Sequence, residues 1–211
     1  MPNEWHIMID LETLSNRPSG GAIMSIGAVP FNPYVGPLVD CSKPLPMKNM
    51  FEDEFYVIID IGDSTDRGLK IEDDVRAWWM MPDRIDEYLR MVNYKDAVSI
   101  VYAFLLLEEF VNKHGVQDAI VYPWSHGSMY DMAVIFEAYN WVAELGVANP
   151  FSHKYVMDTR TVIKTHHDIL GYDTPWPDAQ MKHHPIDDAR RQAVVVQRSL
   201  RNLWELTGRS M

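Results

Sequence analysis

The sequence predicts an α/β fold: a mixed five-stranded sheet, its first three strands an antiparallel meander, flanked by helices. Three observations predict it. Three β-branched and aromatic segments come early, joined by loops rather than helical crossovers. Two later strand patterns lie among helical ones. The last segment carries apolar residues at steps of three and four, the mark of a helix lying on a core.

The elements follow in order. The apolar run His6-Ile7-Met8-Ile9 opens the first strand and ends at Asp10-Leu11-Glu12. Ala22–Phe31 (AIMSIGAVPF) reads as the second strand and Glu54–Asp60 (EFYVIID) as the third. Between them, Asn32–Asp53 holds Pro44, Pro46 and Cys41 and reads as an irregular connection or insertion. Glu72–Met80 reads as a helix ended by Pro82, and Lys95–His114 as a longer one stopped at Gly115. Asp118–Ser125 is the fourth strand, Met129–Glu144 a helix stopped by Gly146, and Lys154–Met157 the fifth strand. Asp158–Ile169 and Ile186–Trp204 are the final helices, the last with the stripe Ile186, Ala189, Ala193, Val196, Leu200 and Trp204.

No repeat, low-complexity tract or linker interrupts the chain, so one domain over residues 1–211 is expected. An apolar share of 47% and a charged share of 23% are those of an ordinary globular protein. The longest apolar run, Ile100–Leu107, is far short of the roughly 20 residues a membrane helix needs, so no membrane partner is expected. The start lacks a basic and apolar leader, and the single cysteine fits a reducing compartment. A cytoplasmic location is the expectation. A net charge of −11 argues against non-specific grip on long duplexes, and a short, end-directed nucleic-acid contact suits it better.

The chemistry begins with Asp10 and Glu12. Residues i and i+2 of a strand share a face, so both acids project together. Like charges that close repel, and burial raises the cost. Hard oxygen pairs of this kind suit Mg²⁺ or Mn²⁺. Asp131 stands at a strand-to-helix junction, within the first turn of a helix for which Ser128 is the expected N-cap. His183-His184-Pro185-Ile186-Asp187-Asp188 opens the last helix, with Pro185 in its first turn. A histidine beside such acids suits proton transfer near neutrality. Taken singly, Asp131 and Asp187-Asp188 could serve only as helix-end charges.

Together these motifs resemble the DEDD exonuclease superfamily in its histidine subgroup, the 3′–5′ exonucleases of ribonuclease H-like fold. The branch they look most like is that of exodeoxyribonuclease VIII and the mycobacterial exoribonuclease. The resemblance rests on MIDLETLSNRPSGGAIMSIGAVPF, the tandem Trp78-Trp79, WSHGSMYDMAVI and HHPIDDARRQA, and spans about residues 6 to 205. It implies that Asp10, Glu12, Asp131 and Asp188 hold two divalent cations, Mg²⁺ or Mn²⁺, with His183 as general base. The family's histidine lies five positions before its last aspartate, which selects His183 and Asp188 over His184 and Asp187. Thr13 and Leu14 would meet the terminal nucleotide, and the partner would be the 3′ end of single-stranded DNA or RNA, shortened by one nucleoside 5′-monophosphate at a time. The resemblance makes a homodimer plausible, and no residue pattern demands one. Pro185 and the long Asn32–Asp53 connection depart from the family pattern.

Of Trp78 and Trp79, adjacent helical residues pointing about 100° apart, one can face substrate while the other packs. His166-His167 read as helix-end polarity. Arg190 and Arg191 read as a solvated ion pair or a phosphate contact. Ser125-His126 is no nucleophile–base pair, since strand neighbours point to opposite faces.

Overall fold

The computed structural model describes residues 4–115 and 119–208. Residues 1–3, part of the start read for a leader, and Asp118, expected to open the fourth strand, lie outside them.

The strands are β1 (Glu4–Thr13), β2 (Ile23–Phe31), β3 (Met50–Phe51), β4 (Phe55–Ile58), β5 (Ile120–Ser125) and β6 (Met157–Asp158). They form one sheet in the order β3-β4-β2-β1-β5-β6. The β1-β2-β4 part is the expected antiparallel meander, and β5 and β6 add in parallel beyond β1. The sheet therefore has six strands, not five. The sixth is Met50–Phe51, a two-residue edge strand on β4 inside the segment expected to be irregular. Two residues are too few to show a period of two.

The helices are α1 (Ile61–Asp66), α2 (Asp73–Trp79), α3 (Ile85–Val92), α4 (Ile100–His114), α5 (Asp131–Val142), α6 (Thr159–Leu170) and α7 (Pro185–Glu205). α1 and α3 go beyond the elements the sequence suggests. α4 starts at Ile100, later than expected, because the Ser99 hydroxyl accepts the Tyr102 N–H and caps it there. α6 starts one residue late for the same reason: Asp158 is its cap, accepting from Thr161 N–H.

β1 is central, and Ile7, Met8 and Ile9 are all fully buried. A strand covered on both faces reads as a continuous apolar run, which is what residues 7–9 are. α7 covers β1 and β2, with Ile186, Ala189, Ala193 and Val196 buried beneath it. Its first turn lies unusually close to the sheet. A Cβ on Gly27 of β2 would fall 2.6 Å from the Pro185 carbonyl carbon, so only glycine permits this approach.

The connection between β2 and β3 is a strap held against the start and middle of α7. Arg190, expected in a solvated ion pair or at a phosphate, is instead buried; its guanidinium forks onto Glu54 (Nε–Oε1 2.9 Å, Nη2–Oε2 2.6 Å) and donates to Lys43 O at 2.6 Å. Gln197 donates to Asn32 O and accepts from Val39 N–H. His184 Nε2 lies 2.9 Å from Pro46 O. His166 is likewise buried, beside Asn202 at 3.1 Å, whereas His167 is exposed and faces Asp173. Among the described residues no helix is long and apolar enough to cross a membrane.

Gly27→Ala forces a methyl into the Pro185 backbone. The expected destabilisation is ~1–3 kcal/mol, or roughly 2–4 °C in Tm per kcal/mol for a chain of this size. A thermal melt unchanged from the parent would show that α7 is free to move off the sheet.

Candidate active site

β1, β5 and β6 end side by side, and the residues beyond the core-forming parts of β1 and β5 carry the acids. Asp10 and Glu12 lie within β1, on the same face, with a register irregularity between Glu12 and Thr13 closing the strand. Asp131 is the first residue of α5, just past β5. Ser128 is not its cap: the Ser128 N–H is bound by Asp158 Oδ2 at 2.8 Å, and the position before the helix belongs to Tyr130. Asp188 sits in the first turn of α7.

The four carboxylates converge. Burial lifts Asp10 well above the usual carboxylate range, and the charges of Asp188 and Asp131 lift it further. Glu12 is raised in the same way, by burial first and then by Asp10, Asp188, Glu87 and Asp131. Asp131 is pushed up to about 7 by burial, against the pull of Arg160. Burial also raises Asp188, opposed by Arg191, whose Nη1 donates to Asp188 Oδ1 at 2.9 Å. Among the described residues, Asp188 is the one acid of the four with an ion-pair partner. One Glu12 oxygen, one Asp188 oxygen and one His183 ring nitrogen all lie within 4.8 Å of one another, close enough to hold a metal ion. Clustered oxygen donors with uncompensated charge fit a hard divalent cation.

His183 has a left-handed backbone, φ +61°, set by the turn that leads into α7. Its ring lies 4.9 Å from Trp78 and 5.7 Å from Trp79, edge to face with both. Burial, and then Arg84, lower its pKa, which favours the neutral ring. His184 points the other way, into the core and the strap. The adjacent acids part in the same manner: Asp187 is fully buried and accepts the Met181 N–H at 2.9 Å, fixing the turn, while Asp188 faces the other acids.

A cleft of about 350 Å³ opens beside Glu12, lined by Thr13, Asn16, Trp78, Trp79 and Tyr130 among others. The tandem tryptophans divide their work. Trp79 is 1% exposed and donates its indole N–H to Thr13 O at 3.0 Å, whereas Trp78 is 40% exposed with the Arg84 guanidinium 3.9 Å above its ring. Thr13 Oγ1 lies 2.7 Å from the Tyr130 hydroxyl. Leu14 is buried in the core, its N–H on Ala22 O, and does not line this cleft.

Three neighbours of the acids escaped the sequence reading. Gln192 donates to Asp10 Oδ1 at 2.7 Å. It stands four residues after Asp188 on α7, and that helical spacing was the available signal. Tyr130 directly precedes Asp131. Glu87 of α3 lies near Glu12 but is engaged by the Arg90 guanidinium, so its charge is already met.

Solved structures share this architecture. The nuclease domain of 3′hExo, a DEDDh family member bound to rAMP, matches at a TM-score of 0.50 and 14% identity, over 95% of this chain and 93% of that one. Cell-death related nuclease 4 (CRN-4) matches at 0.59 and 12%, over 96% and 65%. The zinc-bound complex of Escherichia coli exonuclease I with single-stranded DNA matches at 0.60 and 9%, over 98% and 42%. This chain thus spans 65% of the nuclease 4 chain and less than half of the exonuclease I chain. At such identities the likeness establishes the fold, the ribonuclease H-like one. No curated protein matches the sequence. The family model described as the 3′-5′ exoribonuclease Rv2179c-like domain matches residues 5–200, and the chain belongs to that family.

Proposed function

We propose that the protein is a metal-dependent 3′–5′ exonuclease that removes nucleoside 5′-monophosphates from single-stranded DNA or RNA, folded as one domain. The observation that carries this reading is the meeting of Asp10, Glu12, Asp131, Asp188 and His183, drawn from three separate parts of the chain, beside a cleft of nucleotide scale. Family membership supports it.

Asp10, Glu12, Asp131 and Asp188 would hold two cations, Mg²⁺ or Mn²⁺. When bound, such ions activate water and offset charge on the scissile phosphate and the leaving 3′ oxygen. His183 accepts the proton of the attacking water; the lowered pKa keeps its ring neutral and able to do so. Gln192 holds the Asp10 carboxylate in one orientation. Trp79 fixes the Thr13 carbonyl, and through it the cleft wall against which the terminal nucleoside rests. Trp78 offers that nucleoside an exposed ring backed by Arg84. With a net charge of −11 and a small cleft, short single-stranded ends are favoured over duplex.

Incubation with 5′-labelled single-stranded DNA and RNA, with Mg²⁺ or Mn²⁺, tests this directly. A ladder receding from the 3′ end is expected; no shortening with either metal would refute the reading. His183→Asn, a side chain that tolerates the left-handed backbone, should lower kcat about 10²–10⁴-fold with little change in KM.

The neighbouring aspartates separate in two assays. Asp188→Asn should reduce cleavage to background with Tm kept. Asp187→Ala should chiefly cost stability, about 1–3 kcal/mol for the unmet Met181 N–H, seen as a lower Tm. The reverse pattern would exchange their roles.

The raised acids also set a pH dependence. Between their unfolded pKa near 4 and the raised folded values, about 7 for Asp131, the folded state binds more protons than the unfolded one. Stability is therefore lost as pH rises through this window. Tm in EDTA should be lower at about pH 7.5 than at about pH 5.5, and Mn²⁺ should raise it more at the higher pH. Equal Mn²⁺ effects at both would argue against a cation on these carboxylates.

A further inference from the structure

Arg160, at the start of α6, is exposed and makes no hydrogen bond or ion pair among the described residues. Its charge is nonetheless felt at Asp131, where it opposes the rise in pKa that burial causes. The acid closest to it in sequence, Asp158, is already in use: its Oδ1 accepts Thr161 N–H and its Oδ2 accepts Ser128 N–H. The guanidinium lies over Gly127, 3.3 Å or less from where a Cβ would stand, and Gly127 has φ +111°. A side chain at 127 would be strained and would push Arg160 away. Arg160 thus stands over Gly127 as an unpaired cation, among the described residues, whose charge reaches the acids.

On the far side of His126, the neighbour of Gly127, stands Trp176. It is 39% exposed, braced edge to face by the His126 ring at 5.4 Å and by the Arg191 guanidinium at 5.7 Å. Arg191 is itself tied to Asp188 and to Pro177 O, so the indole is anchored to the same helix turn as the acids. Neither Arg160 nor Trp176 lines the cleft at Glu12, Thr13 and Trp78; they border the acids from the Asp131 and Asp188 side. A phosphodiester whose terminal nucleoside fills that cleft must send its other nucleoside elsewhere, and this is the rim that offers an anion partner and an aromatic face.

We infer that Arg160 and Trp176 form a second nucleotide subsite, Arg160 holding the phosphate and Trp176 stacking the base on the 5′ side of the scissile bond. The inference rests on the exonuclease reading and adds the residues by which a chain with an upstream nucleotide is preferred over a phosphate ester without one. A guanidinium is suited to phosphate oxygens, and an indole stacks on any base without reading its sequence.

The test compares kcat/KM on a single-stranded trinucleotide with that on the p-nitrophenyl ester of thymidine 5′-monophosphate, which has no upstream nucleotide. Arg160→Ala and Trp176→Ala should each lower the ratio of the two by about tenfold or more, the loss expected for one stacked base or one phosphate contact. Arg160→Lys and Trp176→Phe should recover part of it. Both substrates falling equally, or neither falling, would overturn the subsite while leaving the exonuclease reading standing. Failure of the parent protein to cleave either substrate would remove both.

Discussion

The approach of the α7 N-terminus to β2 at Gly27 is the constraint on which the site depends. Gly27 is paired in register with Asp10 on β1, so the spot where the helix is allowed closest to the sheet is also where the first acid emerges. Setting the first helical turn there brings Asp188 against Asp10, and the preceding turn carries His183 to the tryptophans. A side chain at 27 would lift all of these together. The acids repel one another and are poorly hydrated, so no attraction among them assembles the cluster; the packing of α7 imposes it.

That packing is reinforced from behind by the strap. Arg190 and Glu54 form a buried, bidentate pair, and a pair of this kind is costly to half-remove because the remaining charge stays buried. Arg190 also donates to strap carbonyls, and His184 meets Pro46 O. The insertion that departs from the family pattern is therefore part of what holds the last motif, rather than a surface appendage.

The long elements were legible in the sequence because burial leaves a pattern: continuous apolar runs in β1, β2 and α4, and a helical repeat in α7. α1 and β3 were not, since six and two residues are too few for a repeat to stand out; α3 does carry one, in Ile85, Tyr88, Leu89 and Val92, that the sequence reading passed over. The acids were legible for a different reason, their recurrence at the ends of elements. The separation of Asp187 from Asp188 followed only from family spacing, and the structure adds its physical basis in the Met181 hydrogen bond. The burial of Arg190 was not legible, because nothing within its own helix announces Glu54, 136 positions away. Ser128 does not cap α5 because the helix begins three residues later, at Asp131, with Tyr130 in the capping position. Long-range polar partners leave no local trace.

The left-handed backbone of His183 narrows which residues this position can accept over evolution. For an L-residue other than glycine that conformation carries a penalty of about 1–2 kcal/mol, and His, Asn and Asp enter it more readily than others. A valine or isoleucine there would be excluded by its shape before its chemistry mattered. Drift at residue 183 is thus confined to a short alphabet, and within it the imidazole alone combines a tolerated backbone with a ring nitrogen able to exchange a proton near neutrality.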